Sequence, residues 1–172
     1  MAIRTAWPVL AALWLASCGS SPPPRDPGPK PSWNPGDEFR AAMTNGAAAL
    51  TADRHADGVK WFTLAASIEP RNVDARIGRA RALLALRKAD LARAEFEGVA
   101  GIDPGSAAAF AGLGEIYLRG EDGAKAVEAL DKAIALKSDS AAFYRLRSQA
   151  HGAVGNMDGA REDARKASEL GG

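Results

Sequence analysis

Residues 107–140 read AAAFAGLGEIYLRGEDGAKAVEALDKAIALKSDS, and this stretch decides the fold. Two alanine-rich runs flank Gly120-Glu121-Asp122-Gly123, a turn signal of adjacent Gly and Asp. Working outward, Ile102-Asp103-Pro104 lies just before it, and Ile68-Glu69-Pro70 lies 34 residues earlier. One more step of 34 from Pro104 reaches Leu136-Lys137-Ser138, with serine in place of proline, and the next reaches Gly172. A fixed period of this length marks stacked structural repeats. The units are 39–72, 73–106, 107–140 and 141–172, starting at Phe39, Val73, Ala107 and Ala141. Equivalent turn signals fall at Asp53-Arg54-His55-Ala56-Asp57, Arg87-Lys88-Ala89-Asp90 and Gly155-Asn156-Met157-Asp158.

The third unit carries Phe110, Leu113, Gly114, Tyr117, Ala126, Leu130 and Ala133 at its positions 4, 7, 8, 11, 20, 24 and 27. The second has Ala80, Leu83, Ala92, Phe96, Val99 and Pro104, with Arg76 and Arg79 replacing early apolar positions. The fourth has Tyr144, Ser148, His151, Ala160, Ala164 and Ala167; the first keeps Gly46, Phe62, Ala65 and Pro70, with Gly58 standing for an alanine. This pattern resembles the tetratricopeptide repeat (TPR), a helix-turn-helix unit. The resemblance implies an all-α solenoid of four helical hairpins. Small residues at 8, 20 and 27 let helix backbones approach, and large ones at 4, 11 and 24 fill the remaining space. Proline at 32 stops the second helix of a unit because it lacks an N–H and clashes with the preceding turn.

Arrays of this family bind partners on the concave face lined by the first helix of each unit, at positions 2, 5, 9, 12 and 13. The resemblance therefore nominates Met43 from the first unit, and Asp74, Ile77, Arg81 and Leu84 from the second. It adds Glu115, Leu118 and Arg119 from the third, and Arg145 and Gln149 from the fourth. Together they read as an apolar, small-residue trough with scattered arginines, suited to an extended peptide or a helix. The Lys/Asn/Arg clamp by which some members grip chaperone tails is absent, since Met43 and Ala47 occupy its first two positions. The last helix, DGAREDARKASEL, confines its apolar residues almost to alanine, so its outer face is expected to meet water.

Charge and composition narrow the function classes. With 22 Lys or Arg against 21 Asp or Glu, the chain has a formal net charge of +1 and no basic surplus for nucleic acid. One cysteine excludes an intramolecular disulfide and a Cys-rich metal cluster. His151 occupies an aromatic slot and is expected to pack; His55 falls in a turn and is expected in solvent. Gly120-Glu121-Asp122-Gly123-Ala124-Lys125 lacks the spacing and hydroxyl of a phosphate loop. Gly112-Leu113-Gly114 sits within a helix pattern, which gives dinucleotide binding no support. Glu162 and Asp163 are adjacent and face different ways, a poor geometry for an acid/base pair. The expectation is a binding protein without catalytic residues, cofactor or metal.

The amino-terminal region reads as an address. Arg4 and the apolar run Ala6 to Ala16, interrupted by Pro8, are too short to span a bilayer and match a signal peptide over 1–17. Leu15-Ala16-Ser17-Cys18 resembles the bacterial lipobox, which implies a lipidated Cys18 at the start of the mature chain. Residues 18–38 hold seven of the ten prolines and are expected to form an extended linker without helix or sheet. Without Arg4 the charged residues balance at 21 each, so membrane attachment would rest on the lipid. Gly19 after the cysteine implies, by the family's sorting rules, an outer-membrane lipoprotein facing the periplasm; an inner-membrane site or a Gram-positive cell surface are the alternatives. The expected role is a scaffold or assembly factor for an envelope machine of the pilus or secretion type, or else an adaptor regulating peptidoglycan enzymes.

Overall fold

A computed structural model describes residues 34–171 of the chain. The expected signal peptide, Cys18 and the expected linker up to residue 33 lie outside the described residues. Among the described residues eight helices follow one another: α1 (Pro35–Thr51), α2 (His55–Ile68), α3 (Val73–Ala85), α4 (Ala89–Ile102), α5 (Ala107–Arg119), α6 (Gly123–Leu136), α7 (Ala141–Ala153) and α8 (Met157–Glu169). They pack as hairpins, each against its neighbours in sequence, into an α-solenoid.

Helix starts follow local chemistry. Asn72, Asp122 and Asn156 each accept a backbone N–H of the first turn, from Ala75, Lys125 and Gly159 at 3.0–3.1 Å. The first helix corrects the expected linker, because α1 begins at Pro35 rather than after residue 38. The proline is the reason it can. Its missing N–H and fixed φ suit the first helical position, and Asn34 Oδ1 caps the Gly36 N–H at 3.0 Å.

All four hairpin turns close alike. Asp53, Arg87, Glu121 and Gly155 take left-handed φ values of 54°, 59°, 61° and 78°. After each, the next N–H reaches back to a carbonyl five residues earlier: Arg54 to Ala49, Lys88 to Leu83, Asp122 to Tyr117 and Asn156 to His151, at 2.8–2.9 Å. This is the Schellman closure, which satisfies the last carbonyls of the first helix in each hairpin.

The core is a line of aromatic or aliphatic plugs. Phe62, Phe96 and Leu130, all at position 24, are almost wholly buried. Each inserts between the first helix of its own unit and the first helix of the next. A Cβ on Gly46 or Gly78 would stand 2.9 Å or 2.4 Å from the Phe62 ring, and one on Gly112 would stand 2.3 Å from Phe96. Gly78 and Gly112 sit at position 6, where the family pattern asks for nothing small. Where the plug is the narrower Leu130, position 6 of the next unit holds Leu146, and only Gly114 is needed, with its Cβ site 2.6 Å from Leu130. The fourth unit carries the exposed Ala164 at position 24.

Polar packing joins a small apolar cluster of Ile134, Tyr144 and Ala167 at the last hairpin. Arg147 of α7 donates two bonds to Asp163 of α8, at 2.7 and 2.8 Å, and a third to Asp131 of α6 at 2.7 Å. Its guanidinium also lies 5.5 Å from the Tyr144 ring centroid. The adjacent pair Glu162 and Asp163 does face two ways: Glu162 is exposed, and Asp163 is 3% exposed and bound to Arg147.

Candidate partner-binding face

Curvature follows from which helices touch. The odd helices contact one another directly, α1 with α3, α3 with α5 and α5 with α7, whereas α2, α4, α6 and α8 have no such contacts among themselves. The odd helices therefore form the tighter, inner layer, and their free surface is the concave face. Short residues make that approach possible, among them Ala75, Ala80, Ala82, Ala109, Ala111 and Gly112, all buried.

Most nominated residues are accessible on this layer. Asp74, Arg81, Arg119, Arg145 and Gln149 are exposed, and Met43, Glu115 and Leu118 are half-buried. Arg81 and Arg145 make no hydrogen bond or ion pair with any described residue. Arg119 is committed differently: it donates to Glu115 at 2.7 Å and points another nitrogen at the Leu84 carbonyl, 3.5 Å away, tying α5 to α3.

Two nominated residues belong to the core. Ile77 and Leu84 are 8% and 4% exposed and pack with Ala80, Leu83, Ala92 and Phe96. Contact between successive inner helices covers the flanks of α3, so these side chains present little surface to a partner. His55 also differs from its expected place. It opens α2 half-buried, with Nε2 3.8 Å from the Asp53 carboxylate and a covered Nδ1 that lacks a hydrogen-bond partner. His151 is packed between Asn156 Nδ2 at 3.3 Å and Asp163 at 3.7 Å.

The sequence pattern does not reveal a recess beside the second and third hairpin turns. Leu84, Arg87, Ala89 and Arg119 line a cleft of about 400 Å³. A second, of about 290 Å³, shares Ala89 and Arg119 and extends past Ile116 and Tyr117 to Lys125. Lys125 caps that end through a 2.7 Å bond to Asp122, which holds the Asp122 carboxyl below its usual range and raises the lysine in turn. The signal lay in the helix ends, but its parts are one repeat apart, and only stacking brings them together.

Among the described residues no cluster of three or more His, Cys, Asp or Glu is placed to hold a metal. No described helix is long and apolar enough to cross a membrane.

A curved layer of helix hairpins with an accessible inner face defines the class of helical-repeat interaction proteins. The family model described as "Tetratricopeptide repeat" matches residues 87–150, and the hairpin geometry above gives the described residues the tetratricopeptide-repeat fold. Solved structures agree on the fold. TTC0263, a thermophilic TPR protein of Thermus thermophilus, is similar at a TM-score of 0.73 and 17% identity, over 77% of this chain and 74% of that one. MamA of Desulfovibrio magneticus RS-1 gives 0.66 at 23% identity, over 80% and 75%. The TPR domain of Arabidopsis OM64 gives 0.66 at 17% identity, over 69% and 98%. No curated protein matches the chain. Proteins of this fold serve as protein-interaction scaffolds.

Proposed function

We propose that this chain is a lipid-anchored bacterial envelope scaffold whose inner helical face captures a protein or peptide partner. The observation that carries the binding role is the exposed inner layer on which Arg81 and Arg145 stand without partners. An unpaired guanidinium there offers bidentate donors to a carboxylate or carbonyl of a docked segment. The anchor rests on sequence: Leu15-Ala16-Ser17-Cys18 follows a short apolar run, and the prolines behind it make a spacer. Two or three acyl chains on Cys18 would hold the array at the membrane where a single chain binds only marginally. Gly19 favours the outer membrane, facing the periplasm, and assembly of a pilus or secretion machine is the role taken from the resemblance.

The test is capture from detergent-solubilised envelope with the tagged full chain, followed by identification of the proteins that co-purify. Pilus or secretion components are the expected catch, and recovery of peptidoglycan enzymes in their place would move the assignment to a cell-wall adaptor. Arg81→Glu with Arg145→Glu is expected to abolish capture while leaving the helical circular dichroism intact; undiminished capture would refute the inner-face assignment. Cys18→Ala is expected to shift the protein to the soluble fraction or to leave it unprocessed. Persistent membrane attachment of that variant would remove the lipid anchor from the proposal.

A further inference from the structure

We propose that the recess between the second and third hairpin turns is a docking site for an acidic side chain of an extended peptide. The proposal rests on the array being a peptide binder, but it names the ligand chemistry and places it at the turn edge rather than on the inner face.

Charge is the first ground. The two neighbouring clefts, which share Ala89 and Arg119, are lined by four cations, Arg87, Arg93, Arg119 and Lys125, against two carboxylates, Asp90 and Asp122. Both carboxylates are already engaged, Asp90 by Arg93 and Asp122 by Lys125. Glu115 takes one nitrogen of Arg119. Arg87 has no partner among the described residues. The remaining Arg119 donor has only the Leu84 carbonyl at 3.5 Å, at the limit of a useful bond. Two guanidiniums on one cleft thus retain donor capacity, and nothing acidic among the described residues reaches it.

Shape is the second ground. Buried Leu84 and half-buried Ala89 form an apolar floor beneath Arg87 and Arg119, and the neighbouring recess continues over Ile116 and Tyr117. A carboxylate between the arginines would leave its methylenes on that floor, with the next residue of an extended chain entering the second recess. A lysine-bearing peptide would meet like charge. A neutral one would leave the arginines without an anion.

Arg87 also permits a clean test. Its backbone stands at φ 59°, where the fourth repeat uses Gly155 at φ 78°. Glycine at 87 removes the side chain and suits the backbone, so lost binding cannot be ascribed to lost folding.

Three fluorescein-labelled decapeptides, alternating Leu with Glu, Lys or Gln, are titrated against the full chain in detergent micelles by fluorescence anisotropy. The Glu peptide is expected to bind best, and more weakly as salt rises. Arg87→Gly is expected to weaken it about tenfold, the effect of losing one charge-assisted hydrogen bond, at an unchanged or higher melting temperature. Arg161→Gln, exposed on α8 and away from both clefts and the inner face, is expected to leave it unaltered. Wild-type affinity in Arg87→Gly, or equal binding of the Gln peptide, would overturn the site while leaving the array a peptide binder. Failure of all three peptides would count against both assignments.

Discussion

Arg147 and Asp163 repeat, two hairpins later in the chain, the pairing of Arg79 with Glu95. Each arginine holds position 7 of its unit and each acid position 23, and the Arg79–Glu95 contact is 2.6 Å. The first and third units put Asn45 with Trp61 and Leu113 with Ala129 at those places. The two pairs are unequally satisfied. Asp163 receives two bonds from Arg147, while Arg79 Nε and Glu95 Oε2 are covered and unbonded, with Arg76 3.9 Å from that oxygen.

Removing one partner of the better pair should therefore cost more than removing both. Arg147→Met alone strands a buried carboxylate and is expected to destabilise the domain by about 3–5 kcal/mol, whereas Arg147→Met with Asp163→Leu should recover most of that loss. Urea titration followed by circular dichroism measures both, and hydrogen exchange should show α7 and α8 opening first. The pair also has a defined pH range. Hydrogen bonding by Asp163 raises the Arg147 pKa above its ordinary value, against the opposing effect of burial. A raised folded value means the guanidinium's contribution is complete below the unfolded arginine pKa and is lost only as pH rises from there through the folded one. Stability from this arginine should be flat from neutral pH to about pH 11.

Gly112 and Phe96 are expected to be coupled. Gly112→Ala puts a methyl into the ring and should destabilise the array by about 1–3 kcal/mol through overpacking. Phe96→Leu creates a cavity on its own. The double variant should be more stable than the sum of the single effects, because Leu130 already packs without a glycine at position 6 of the following unit. Strict additivity in a thermal-unfolding double-mutant cycle would contradict the plug geometry.

Gly58 behaves oppositely. A Cβ there would meet Ala82 and Leu50 at 3.5 Å, ordinary contact distance, within the helix α2. Gly58→Ala should stabilise the first hairpin by about 0.5–1 kcal/mol, by helix propensity and by reducing the freedom of the unfolded chain. A lower melting temperature would show that the space is not there.

The hairpin turns give a sign-changing pair. Gly155→Ala forces a Cβ into left-handed backbone and should cost about 1 kcal/mol, whereas Glu121→Gly at the equivalent turn should gain a similar amount. Equal signs for the two substitutions would mean that the shared turn conformation does not set their energy.

Much of the architecture was legible because it is written locally. Pro70 and Pro104 mark helix stops, Asp122 and Asn156 each cap the helix that starts at the next residue, and alanine recurs where helices must approach. The misplaced start of α1 belongs to the same local chemistry: Pro35 breaks a helix interior but suits a first turn, so counting prolines put the boundary too late. Arg76 and Arg79 stand out in the sequence as departures from the pattern, but nothing local marks Glu95 as their partner.

What the sequence determined by itself was the period, the turns and the residues offered to the inner face. Tertiary structure decided which of these are usable. Ile77 and Leu84 carry the right spacing, yet contact between successive inner helices buries them and leaves Arg81 and Arg145 outside. Gly78 and Gly112 look like weak points of their helices until the aromatic ring of the preceding unit is in place. Both outcomes depend on contacts between neighbouring repeats, which helix stacking sets. Hydrophobic period and turn chemistry act within a few residues of their source; burial and charge pairing act across space, and only the stacked array defines that space.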